Sequence, residues 1–271
     1  MAIPQVACPS PNFDERGSDT PVDILLMHYT GMETGAAALS RLCDADARVS
    51  AHYTVDEDGT IYAHVPEDKR AWHAGKSYWA GATDINARSI GIEIVNPGHE
   101  FGYRAFPDRQ IEAVMELSQN IIARHSIPKE RVLGHSDVAP ARKQDPGELF
   151  PWSTLAAAGI GLWPQSPTPV RQSRASARSA NRPSPQGGGD VHTNSPPLGG
   201  EVDPPKAVRV GGDFEMMLRR FGYGIRPDVD VSLDDVITAF QRHFRPSLVN
   251  GIADAECETI LVGLLVMVPE K

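Results

Sequence analysis

What this 271-residue chain lacks narrows its class before any motif is read. No stretch approaches the roughly 20 consecutive apolar residues that a membrane-crossing helix needs, so no transmembrane segment is expected. Cysteine is scarce: Cys8, Cys43 and Cys257 are an odd number in distant segments, without Cys-x-x-Cys spacing. That pattern predicts neither a disulfide framework nor a cysteine zinc site. Basic residues are outnumbered, 26 Lys and Arg against 35 Asp and Glu, for a formal charge of -9. An acidic chain lacks the basic patch that binding to a phosphate backbone requires, so nucleic acid is not an expected partner, and no segment implies an obligate protein partner. The start, Met1 to Pro9, has neither a basic n-region nor an apolar h-region. The expected compartment is therefore the cytoplasm, the alternative being the periplasm or cell envelope by a non-standard export route or a start codon further upstream.

What is present is enough for real cores, with 41% hydrophobic residues. Composition divides the chain into residues 1–164, 165–206 and 207–271. In the first part, strand candidates at 22–28, 53–55, 60–63 and 89–95 alternate with amphipathic stretches. Pro107 opens a helix to His125, in which Ile111, Val114, Met115, Ser118, Ile121 and Ile122 recur at helical spacing. The strand at 89–95 is apolar at nearly every position except Glu93, which predicts burial on both faces and demands a reason for the charge. In the second part Ser, Pro, Gly and Arg dominate, and such a segment predicts a disordered linker. The third part reads as three short helices, spaced by Phe214, Met217, Leu218 and Phe221, then by Val236, Phe240 and Phe244, then by Ile260, Leu261, Leu264 and Leu265.

The chemistry concentrates in Gly134-His135-Ser136-Asp137 and Arg142-Lys143-Gln144-Asp145-Pro146-Gly147. His28 closes the apolar run Asp23 to Met27 far upstream. Two imidazoles and a carboxylate, His28, His135 and Asp145, form the ligand set of a catalytic zinc site that keeps its fourth position open for water. Between the two histidines stand Trp72-His73-Ala74-Gly75 and the segment Asn86 to Glu93.

Together with His28-Tyr29-Thr30, these segments resemble the type-2 N-acetylmuramoyl-L-alanine amidases, zinc enzymes related to peptidoglycan recognition proteins. The resemblance runs from about Cys8 to Trp163. It implies an α/β fold, a mixed central sheet flanked by helices, with one Zn2+ per chain in a groove on one face. Phe221-Gly222-Tyr223, Ala239-Phe240-Gln241 and Asn250 to Asp254 resemble the small three-helix peptidoglycan-binding domain, which implies a C-terminal module at 207–271 that folds apart on its tether.

The family implies that Glu93 is the general base and that Lys143 stabilises the oxyanion on the scissile carbonyl. Trp72, His73, Tyr29 and Asn86 are expected to line the groove for sugar and peptide. Asp137 is expected to orient a ligand ring from outside the metal's own ligands. The implied reaction is hydrolysis of the amide between N-acetylmuramic acid, or its 1,6-anhydro form, and L-alanine, on peptidoglycan or soluble muropeptides. The alternative is a non-catalytic recognition protein of the same fold, whose relatives typically lack a zinc ligand; here His28, His135 and Asp145 are all present beside Glu93 and Lys143.

Overall fold

The computed structural model describes residues 3–17, 19–164, 212–225 and 230–269. The expected linker at 165–206 lies outside the described residues. A six-stranded mixed sheet forms the centre, in the order β1-β5-β4-β7-β3-β8. Its strands are β1 (Val6–Ala7), β3 (Ile24–Tyr29), β4 (Tyr53–Val55), β5 (Ile61–Ala63), β7 (Ser89–Ile94) and β8 (Val132–Gly134). β2 (Phe13–Glu15) and β6 (Lys69–Ala71) pair separately. Only β4 and β5 run antiparallel within the large sheet; β4, β7, β3 and β8 run parallel. The expected mixed sheet flanked by helices is the fold observed.

The period-2 alternation of strands sorts β3 between two cores. Leu25 and Met27 face one side with Ile90, Ile92 and Ile94 of β7, where Ile111, Val114, Leu117 and Ile121 of a long helix cover them. Ile24 and Leu26 face the other side, with Leu133. His28 continues that second row, and β7 offers it Ser89, Gly91 and Glu93. The charge in β7 thus has its reason: one face of the strand is hydrocarbon and the other is the site.

The helices are α1 (Gly35–Cys43), α2 (Ile85–Arg88), α3 (Gly98–Phe101), α4 (Asp108–His125), α5 (His135–Val138), α6 (Trp152–Ala157), α7 (Gly212–Phe221), α8 (Leu233–Phe244) and α9 (Ala255–Met267). α4 begins one residue after Pro107, as a proline-led first turn allows. α8 starts on a reciprocal cap in which Ser232 and Asp235 each bond the other's backbone N–H. The buried Gln241 then folds the following loop, its Oε1 accepting from the N–H groups of Asn250 and Gly251 at 2.8 Å each.

The last three helices pack on the first part of the chain. Phe214, Leu218, Phe221, Phe240 and Leu261 share one core with Ile24, Leu26, Trp79 and Leu133. The periodicity located these helices, but their apolar stripes are continuous with the catalytic sheet rather than closed on themselves. Spacing also missed a meeting of cysteines. Cys8 Sγ and Cys43 Sγ, from the ends of β1 and α1, lie 2.8 Å apart. His64 stands beside them, with its Nδ1 held 2.7 Å from the Cys8 carbonyl.

Candidate metal centre

Parallel pairing aligns the site. His28 on β3 is in register with Glu93 on β7, and Met27 is in register with Gly134 on β8, so His135 emerges beside His28. Both histidines leave the carboxyl ends of neighbouring parallel strands, where open α/β sheets place their ligand crevices. The loop after α5 returns Asp145 to the same point, fixed by a bond from Ser136 N to the Asp145 carbonyl at 2.9 Å.

Three donor atoms converge there. His28 Nδ1 lies 2.9 Å from His135 Nδ1 and 3.1 Å from Asp145 Oδ2, and His135 Nδ1 lies 3.0 Å from the same oxygen. All three residues are buried. The outer ring nitrogens decide where the protons sit. His135 Nε2 is 3.1 Å from the Ala74 carbonyl, which only accepts, so Nε2 carries a proton and, in the neutral ring, Nδ1 is the free lone pair.

For His28 the same answer comes through two more side chains. Ser89 donates its hydroxyl proton to the Ile85 carbonyl at 2.7 Å and accepts from His73 Nε2 at 3.4 Å. His73 Nδ1 is then an acceptor, and it takes the proton of His28 Nε2 at 3.0 Å. His28 Nδ1 is bare as well.

In the neutral tautomers both imidazole lone pairs face the carboxylate oxygen, a donor set that suits a cation at its centre. Tetrahedral zinc at its usual bond lengths separates such ligands by about 3.3 Å, close to the spacing seen. The protonation states suit a cation. Burial, with the neighbouring His135, pushes His28 down to about 4, so it is neutral at pH 7. Burial alone would raise Asp145, but His135 and His28 hold it far below the usual carboxylate range.

The groove beside these ligands is lined by Tyr29, Arg41, Trp72, Glu93, His99 and Lys143, among others. Glu93 Oε2 is covered and has no hydrogen-bond partner among the described residues. Burial and then the Asp145 carboxylate push its pKa well above the ordinary value, against the pull of the Lys143 ammonium. Tyr29 Oη meets His99 Nδ1 at 3.0 Å, and Trp72 Nε1 donates to Asp14 Oδ2 at 2.8 Å.

Three of the expected residues have further or other partners. The His73 ring lines the groove as expected and is also bonded to His28 and Ser89, so it orients the His28 ring. Asn86 is outside the groove lining; its Oδ1 accepts from the N–H groups of His73 and Ala74 and so shapes the segment that carries those acceptors. Asp137 touches neither ligand ring. Sequence reasoning missed the Ala74 carbonyl, Ser89, Arg41 and His99. A backbone carbonyl has no sequence signature, and the small residues of β7's second face, Ser89 and Gly91, were the available signal.

Comparison with known proteins agrees with the geometry. The family model N-acetylmuramoyl-L-alanine amidase matches residues 18–148. The N-acetylmuramoyl-L-alanine amidase AmiD of Escherichia coli is 38% identical over 259 residues, covering 90% of this chain and 82% of that one. The 1,6-anhydro-N-acetylmuramyl-L-alanine amidase AmpD of Enterobacter cloacae is 34% identical, covering 55% of this chain and 87% of that one. Among solved structures, the Escherichia coli AmiD complex with the substrate anhydro-N-acetylmuramic acid-L-Ala-D-gamma-Glu-L-Lys superposes with a TM-score of 0.70 at 33% identity. It covers 94% of this chain and 98% of that one.

Proposed function

This chain belongs to the N-acetylmuramoyl-L-alanine amidase family, and we propose from that premise that His28, His135 and Asp145 hold one zinc ion that serves the reaction. The enzyme hydrolyses the amide between N-acetylmuramic acid, or 1,6-anhydro-N-acetylmuramic acid, and L-alanine of peptidoglycan stem peptides. The observation that carries the metal reading is the set of three bare donor atoms within 3.1 Å of one another.

When bound, zinc supplies positive charge and an open position at which water is acidified and a carbonyl polarised. Glu93 takes the proton of the attacking water and passes it to the nitrogen of the leaving L-alanine. Its buried, unpartnered Oε2 suits a group that gains and loses a proton during turnover. Lys143 faces the same groove and stabilises the charge that develops on the scissile carbonyl oxygen. Trp72 and Tyr29 present apolar surface to the sugar and peptide, while Arg41 adds a positive charge that suits the carboxylates of a stem peptide.

Residues 1–164 carry the chemistry in this reading, 165–206 link, and 207–271 form the peptidoglycan-binding-like segment. Muropeptides are the proposed ligands. Among the described residues no helix is long and apolar enough to cross a membrane. The cytoplasm is the proposed compartment, with the periplasm as the alternative that cell fractionation decides. The central test is metal content with hydrolysis of a muramoyl-tripeptide: one zinc per chain, activity abolished by chelation and restored by zinc. Full activity in metal-free protein refutes the reading.

A further inference from the structure

Asp137 lies two residues past His135 and is 1% exposed. It spends its carboxylate on three donors. Oδ2 accepts from the Gly134 N–H and from His243 Nδ1, both at 2.7 Å. Oδ1 accepts from the Tyr223 hydroxyl at 2.7 Å. The two side-chain donors come from the C-terminal segment, Tyr223 just beyond α7 and His243 within α8, and both are at most 2% exposed. The His243 ring is clamped between Trp152 and Phe244, each at a centroid distance of 3.8 Å and nearly parallel.

The consequence follows from the size of α5. Its four residues are too few to hold a helix on their own account, so tertiary bonds must set its position. Beside the bonds of Ser136 N to the Asp145 carbonyl and of Tyr78 N to the Val138 carbonyl, Asp137 supplies a further set, and Gly134, whose N–H it holds, is the residue directly before His135. Further contacts seal the junction. Ala80 N donates to the Gly222 carbonyl at 2.8 Å, and Trp79 packs edge-on against Phe221 and Tyr223. Removing Tyr223 and His243 as donors leaves a buried carboxylate with one partner of three, and such a group moves or draws in water to recover its bonds.

We infer that the C-terminal helices are part of the frame of the metal centre, with Tyr223 and His243 as positioning residues that act through Asp137 on His135. Their contribution is then to the chemistry itself, on any substrate, in addition to whatever they bind. This rests on the zinc reading above. Loss of a group bonded directly to a metal ligand typically costs about 10- to 100-fold in affinity or activity, and Tyr223 and His243 act from further out, through Asp137 and the backbone before His135.

The test uses the full chain with Tyr223→Phe, His243→Phe and the double variant. Phenylalanine removes only the hydroxyl at Tyr223; at His243 it keeps an aromatic ring to stack on Trp152 while removing the donor. Zinc affinity is read by chelator competition, turnover on a soluble muramoyl-tripeptide as kcat and KM separately, and fold by the melting temperature of the metal-free protein. The expected result for the double variant is a zinc Kd raised at least tenfold and a lowered kcat with KM little changed; Val266→Ser, on the exposed side of α9, changes neither. A purely architectural role lowers the melting temperature and leaves the zinc Kd within threefold of the original, and that result overturns the inference. Should the double variant not fold, Tyr223→Phe alone decides, with a Kd raised more than threefold or not. A full-length protein that holds no zinc at all refutes the metal reading instead, so the two failures are distinct.

Discussion

Consider His73→Ala. His28 Nε2–H has one partner, His73 Nδ1 at 3.0 Å, and His28 is 1% exposed. Deleting the acceptor leaves a buried N–H unmatched, at a cost of about 1–3 kcal/mol. The same deletion frees the His28 ring to take the other tautomer, in which Nδ1 carries the proton and cannot bind metal. Expressed as zinc affinity, the loss is about 5- to 150-fold, which brackets the effect usual for outer partners of zinc-bound histidines. The groove borders His73, so water fills part of the space left and the expected value is towards the low end, about tenfold. Gly91→Ala reaches the same point without deleting any polar group, because a β-carbon there would sit 2.6 Å from His73 Nδ1 and 2.7 Å from two more ring atoms. The assay is zinc competition against a chromogenic chelator at pH 7.5, with circular dichroism to establish folding. A zinc Kd within twofold of the original in folded His73→Ala refutes the tautomer argument.

Other outcomes follow from the same geometry. Glu93→Gln and Lys143→Ala should each lower turnover of a muramoyl-tripeptide by about 10²-fold or more while zinc content stays at one per chain; near-normal turnover removes that residue from the mechanism. Acidification should destabilise the metal-free protein. Burial lowers His28 to about 4 and His52 to about 3 from 6.5, so the unfolded chain takes up protons that the folded one refuses as pH falls from about 6.5 towards those values. Urea midpoints should therefore drop between pH 7 and pH 4, and equal midpoints contradict the assignment of both rings as buried and neutral. Oxidised glutathione should close Cys8 to Cys43 with release of two glutathione thiols. The count of free thiols, titrated after unfolding, then falls from three to one, and the closed loop adds about 4 kcal/mol by chain entropy. Three thiols persisting under oxidant exclude the pair.

Periodicity carried the fold a long way because both cores obey it. The strands at 24–29, 53–55, 61–63 and 89–94 and the helix at 108–125 stand within two residues of where alternation and helical spacing put them. β1, β2, β6 and β8 are two or three residues long and have no counterpart among the expected strands. The C-terminal helices were also legible as helices, yet not in their partner. An apolar stripe specifies that something covers it and is silent on what, so Phe221 and Phe240 read equally well as the centre of a separate three-helix domain. The observed core is shared with Leu26 and Trp79 instead.

The candidate site divides in the same way, between groups named by their chemistry and groups named by their neighbours. Ligand types survive reading from sequence because only a few side chains offer a bare nitrogen or a carboxylate, and the motifs around His28, His135 and Asp145 restrict which. What makes those atoms usable is the set of acceptors behind them: a carbonyl of Ala74, a serine of β7 and an imidazole drawn from a loop 45 residues along the chain from His28. None of these is unusual in its own segment. His73 looked like groove lining because a histidine next to a tryptophan suits a sugar site, and Asp137 looked like a ring acceptor because it lies two residues from a ligand. Both are carboxyl or imidazole groups whose work is set by contacts 16 to 106 residues away in sequence. A buried polar group takes the partners that the fold supplies. At Asp137 the fold supplies two of three from the far end of the chain, so any account of how His135 is held that stops at residue 164 omits most of the bonds that hold Asp137.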